Sequence, residues 1–187
     1  MKQDSIRKHL APRGIYSIAQ KRSTTINHAF ASAIAPIDRY DEASISEAVI
    51  ALGQDPDAEL KCVYCDGPAQ GWDHLHPLVK EKQLSGYGHL IRNLVPSCRD
   101  CNSDKGGKDW QAWLLGKGGL AVQERISRIR DYAAPLEGRK GTLEAMQRIA
   151  PDLMQKYAAL RSEIIRLMGE ADQVAAELRE RTATYEA

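Results

Sequence analysis

The most regular hydrophobic pattern lies towards the C-terminal end of the chain. Leu153, Tyr157, Leu160, Ile164, Leu167, Ala171, Val174 and Leu178 recur at alternating steps of four and three, which predicts one long helix with a continuous apolar seam. Such a seam has to be covered; a homodimer through helix 152–182 is the favoured cover, and folding back on the N-terminal helices is the alternative. Upstream, AVQERISRIRDYAAP places Val122, Ile126, Ile129 and Ala133 on one helical face. Near the N-terminus, SIAQKRSTTINHAFASAIA repeats apolar groups at Ile18, Ile26, Ala29, Phe30, Ala33 and Ile34, and ASISEAVIALG reads as a second short helix stopped by Gly53. The middle of the chain differs. QGWDHLH, between Gly71 and Pro77, reads as a short strand ending at the proline. Gly86 and Gly88 punctuate a polar loop, NLVP is a second β-like stretch, and Cys98 and Cys101 open a helix running into DWQAWLL.

Composition adds limits rather than a function. With 187 residues, 43% apolar and 27% charged, the chain is long enough for one or two domains and too apolar for wholesale disorder. No run approaches the ~18 apolar residues of a membrane span, and the first residues lack the apolar core of a secretory signal. A cytoplasmic setting with reduced thiols is therefore expected. The net charge of +1 hides opposed segments. Residues 1–28 carry six basic groups against Asp4, residues 37–66 carry eight acidic against two basic, and residues 78–140 carry twelve basic against seven acidic. The excess at Lys2, Arg7, Lys8, Arg13, Lys21 and Arg22 reads either as a basic arm or as a solvated tail.

The four cysteines stand as Cys62-x-x-Cys65 and Cys98-x-x-Cys101, with 32 residues between the pairs. Two such turns can converge four sulfurs on one ion at about 2.3 Å, which predicts a closed, structural zinc site. The insert between them carries Asp73, His74, His76, His89 and Asn93, and the second knuckle continues into Asn102, Lys105 and Lys108.

Asp73-His74, then Asn93-Leu94-Val95-Pro96, then Cys98-x-x-Cys101-Asn102-x-x-Lys105-Gly106 together resemble the HNH, or ββα-metal, endonuclease family in its zinc-bearing form. The resemblance spans roughly residues 60–115. It implies His74 as the general base, Asp73 and Asn102 as ligands of a catalytic divalent cation, and Asn93 as the brace of the loop. Asn102 stands where the second eponymous histidine often sits; its oxygen suits magnesium or manganese. His76, two residues along the expected strand, would share a face with His74 and serve as a phosphate contact or auxiliary base. Lys105 and Lys108 are expected to meet the DNA backbone. Trp72, Trp110 and Trp113 are expected to supply core mass.

The expected fold is α+β: a small zinc-pinned ββα-metal core at 59–115, between a helical N-terminal region with a basic arm at 1–58 and a helical region at 116–187. The function expected from the resemblance is a bacterial or phage-encoded, Mg2+- or Mn2+-dependent endonuclease of restriction or defence type. It would act on duplex DNA and leave 5′-phosphate and 3′-OH ends. The alternative is a zinc-stabilised DNA-binding or scaffold module without catalysis.

Overall fold

A computed structural model of the chain describes residues 15–80, 83–119, 121–139 and 142–183. These residues form two compact units, 15–29 with 152–183, and 30–151. No described helix is long and apolar enough to cross a membrane. Lys2, Arg7, Lys8 and Arg13 of the expected basic arm lie outside the described residues, whereas Lys21 and Arg22 are exposed on helix α1 (Ile18–Ile34).

The 30–151 unit is built on a ββα unit. Strand β1 (Gly71–His74) pairs antiparallel with β4 (Leu94–Ser97), Gly71 opposite Ser97 and His74 opposite Leu94, and α3 (Arg99–Lys105) follows directly. Where the sequence suggested only a polar loop, β2 (Val79–Lys80) and β3 (Gln83–Leu84) make a hairpin of two residue pairs. Strands this short carry no alternation to read.

Strand β1 stops at His74, three residues short of Pro77. The side-chain amide of Asn93 takes the N–H and C=O of His76 at 2.9 and 3.0 Å. Those groups are thereby lost to a ladder, and His76 falls off the strand; its expected shared face with His74 does not form. The expected run-in from Cys101 to Leu115 is also divided. Gly106, at φ 49°, ends α3 in the left-handed region that favours glycine, and Asp109 restarts the chain as α4 (Trp110–Lys117) by accepting from Ala112 N at 2.8 Å.

Helix α2 (Glu42–Ala51) is capped by Asp41 and ends before Gly53, as its pattern predicts. Its Ala48, with Leu52 just past its end, joins Val63, Tyr64, Leu75, Leu90, Val95, Trp110, Trp113 and Leu114 in one core with Ile126, Ile129 and Tyr132 of α5 (Val122–Ala133). A single core therefore crosses the positions near 58 and 115. The Tyr132 hydroxyl donates to the carbonyls of Leu94, at 2.6 Å, and Ile91, fixing the start of β4. Trp110 and Trp113 are core residues as expected; Trp72 is 48% exposed instead.

Helix α6 (Thr142–Ile149) leads to α7 (Pro151–Ala183). In the unit of 15–29 with 152–183, Asp172 of α7 accepts from Ser17 Oγ at 2.8 Å, Ile18 N at 2.6 Å and Ala19 N at 3.0 Å, capping α1 from another helix. The half-covered face of α7 runs through Met154, Tyr157, Arg161, Ile165, Met168, Asp172 and Ala175. The heptad seam lies mostly one position away, and Leu153, Leu160, Ile164, Leu167, Val174 and Leu178 remain exposed.

Candidate metal and catalytic site

The two Cys-x-x-Cys turns meet. The sulfurs of Cys62, Cys65, Cys98 and Cys101 all lie within 4.8 Å of one another, and no other cluster of three or more His, Cys, Asp or Glu ligands occurs among the described residues. Cys65 and Cys98 Sγ are 3.8 Å apart. A tetrahedral ion with bonds of about 2.3 Å sets its sulfurs about 3.8 Å apart, so the donor set fits zinc. Burial holds the thiols of Cys62 and Cys101 above their ordinary range, while the backbone N–H of Cys101 lowers that of Cys98. A cation bound by the four sulfurs would offset the charge of the thiolates it needs.

This cluster pins the first knuckle to the start of α3, and α3 is tied in turn to the end of β1. Lys105, at 0% exposure, donates its Nζ to the His74 carbonyl at 2.8 Å and to the Gly106 carbonyl at 3.3 Å. It also lies 3.0 and 3.2 Å from the two oxygens of Asp73. The expectation that Lys105 meets DNA is therefore corrected: its ammonium is sealed inside, neutralising a carboxylate. Lys108 stands on the surface, its side chain 59% exposed and its Nζ 2.7 Å from the Asp104 carbonyl.

Asp73 is 6% exposed and also accepts from the Tyr64 hydroxyl at 2.8 Å. Burial, then the adjacent carboxylate, pushes the Tyr64 phenol far above its usual range, so it stays a donor. A carboxylate has about four acceptor sites. The Tyr64 hydroxyl takes one on Oδ2 and Lys105 takes one on Oδ1, while the ammonium also stands 3.0 Å from Oδ2 as an ion pair. Both oxygens of Asp73 thus have a partner, and each keeps acceptor capacity beyond it. Asn102 is half-buried on α3, one turn before Lys105 and so on the same helical face.

His74 occupies the end of β1, half-buried. Its Nε2 lies 3.1 Å from Nδ1 of His89, with ring centroids 5.0 Å apart and planes at 66°. His89 reads in the sequence as one more polar residue of the insert, yet it is the group that meets the His74 ring. Asn93, at 0% exposure, holds His76 at both backbone groups and donates to the Gly88 carbonyl at 3.0 Å. It thereby fixes the segment after His74 to the segment before His89. The His76 ring stacks on Tyr87 at 4.2 Å and 15°.

Residues 62–108 match the family model described as HNH endonuclease.

The match begins at the first cysteine of the sulfur cluster and ends at Lys108, enclosing β1, β4, α3 and every polar group just described. No curated protein and no solved structure matches the chain. The HNH match over this segment suggests a nuclease, and the four cysteines are grouped as a zinc-type site would need.

Proposed function

We propose that the chain is a divalent-metal-dependent DNA endonuclease of restriction or defence type, cutting duplex DNA to 5′-phosphate and 3′-OH ends. The observation that carries this reading is the coincidence of the HNH match with a gathered set of groups: His74 at the open end of β1, its carbonyl held by the helix that bears Asn102.

Asp73 and Asn102 would hold a magnesium or manganese ion, which when bound would neutralise charge on the phosphate and on the departing 3′ oxygen. His74 takes the proton of the attacking water, the general-base role for which imidazole is the commonest side chain. Asn93 holds the loops on either side of His74 in register. Lys108 offers a surface ammonium for the DNA backbone, and His76, stacked on Tyr87, lies beside the site as an auxiliary group. The seam of α7 supports a homodimer that would bring two such centres to one duplex.

Plasmid DNA incubated with the full chain and Mg2+ or Mn2+ should be cut, and His74→Ala should lose about 10²–10⁴ in rate while keeping zinc and DNA affinity. Ends that a DNA ligase rejoins would establish the 5′-phosphate and 3′-OH chemistry, and discrete fragments a restriction-type specificity. Equal cutting by the variant overturns the role of His74. The competing reading, a zinc-stabilised DNA-binding module, draws on the Asp73–Lys105 pair, which already balances the carboxylate. It predicts binding of the same plasmid without cleavage.

A further inference from the structure

His89 is held more firmly than a surface loop residue needs to be. Its N–H donates to the Pro36 carbonyl at 2.9 Å, its carbonyl accepts from Asp38 N at 3.2 Å, and Ile37 bridges it in parallel. One residue earlier, a Cβ on Gly88 would stand 2.0 Å from the Pro36 oxygen, so no other residue permits this approach. Two residues later, Ile91 N donates to the Asp38 carboxylate at 2.9 Å. The strap formed by residues 36–38 lies outside the HNH match at 62–108. Its effect is to fix the His89 ring where Nδ1 meets Nε2 of His74.

Two ring nitrogens at 3.1 Å share one proton, and its location decides what His74 can do. If His89 donated, His74 in its neutral form would carry its own proton on Nδ1 and have no lone pair to offer water. If His74 donates from Nε2, its Nδ1 keeps the lone pair. When His74 takes a proton there, its Nε2–H···Nδ1 bond to His89 becomes charge-assisted and stronger.

We propose that His89, fixed by the Pro36–Asp38 strap, is the positioning residue for His74, accepting its Nε2–H and so setting the tautomer and orientation of the base. This rests on the reading of His74 as the general base. The contribution expected is about 10- to 100-fold in rate, the range of a hydrogen bond to a charged group.

The full chain is assayed on plasmid with saturating Mg2+ as His89→Leu and His89→Asn, beside ring 15N spectra of His74. Asparagine places an acceptor oxygen one bond beyond Cγ, where Nδ1 stood; leucine places none. His89→Leu should lower the maximal rate with the half-saturating DNA concentration unchanged, His89→Asn should recover most of it, and the spectra should show Nε2-protonated His74 in the unmodified chain. An unchanged rate in His89→Leu, an equal loss in both variants, or an Nδ1-protonated His74 overturns the proposal. So does a higher Mg2+ requirement at an unchanged maximal rate, which would make His89 a cation ligand. Should the unmodified chain fail to cut DNA, the nuclease reading falls, while the His74 tautomer in the two variants still decides the contact.

Discussion

Lys105 and Asn93 are the two residues on which the site's geometry depends most, and both act by filling valences that nothing else nearby can fill. Lys105→Met would leave the Asp73 carboxylate buried beside Tyr64 with no cation. Breaking one side of a buried pair costs about 3–5 kcal/mol, so chemical denaturation should move by that amount. Adding Asp73→Asn should recover part of it; a loss below about 1 kcal/mol, the range of an exposed pair, would mean that the ammonium is not sealed as described. Asn93→Ala would orphan the N–H and C=O of His76 and the carbonyl of Gly88. Each orphaned buried group costs about 1–3 kcal/mol. The variant should lose stability and cutting together, whereas an exposed change such as Lys108→Ala should weaken DNA binding alone and flatten its salt dependence. Cutting at the usual rate by Asn93→Ala would remove the loop brace from the mechanism.

At the scale of elements, the chain's punctuation was legible where one residue type decides the outcome. Gly53 stops α2, the paired Cys-x-x-Cys turns converge, and the apolar face of α5 points inward as its spacing predicts. What escaped the sequence was decided by contacts between distant segments. Strand β1 ends at His74 because Asn93, nineteen residues on, captures the backbone of His76. Lys105 turned inward because Asp73 offered a buried carboxylate, and neither spacing nor charge count records that. The strap at 36–38 sits beyond any local window around His89. Element ends also carry two predictions. Chelating the zinc-type site with a strong chelator should release about one zinc per chain and erase the near-ultraviolet signal of Trp110 and Trp113, whose core includes Cys62 and Cys101; an unchanged signal would mean that the sulfurs need no ion to hold the core. Asp172 is the second case, because the N–H groups of Ile18 and Ala19 hold its carboxyl below the ordinary Asp value of about 3.9. A depressed carboxyl contributes above its unfolded pKa and loses its contribution as pH falls through the folded one. Hydrogen-exchange protection at Ile18 and Ala19 should therefore be full near neutrality, fall only below about pH 3.9, and be weak at every pH in Asp172→Asn.

For the whole molecule, the question left by the fold is what covers the seam of α7. Folding back was one of two expected covers, and the face that carries Asp172 serves it, since that residue caps α1. The stripe through Leu153, Leu160, Ile164, Leu167, Val174 and Leu178 stays exposed beside it, six large apolar residues in heptad register on one helix. A second copy of the same stripe is complementary to it under a twofold axis, because knobs at a and d positions pack into the holes of an identical partner. On the proposed nuclease reading, two HNH segments related by that axis would cut both strands, whereas one centre would nick. Sedimentation should accordingly give a dimer at micromolar concentration. Leu160→Glu with Leu167→Glu should give a monomer of unchanged helicity, because both side chains are exposed on the described chain. With plasmid as substrate, the monomeric variant should keep its first-strand rate yet accumulate open circles in place of linear product. Linear product at the usual rate from a monomer would separate double-strand cutting from the seam altogether.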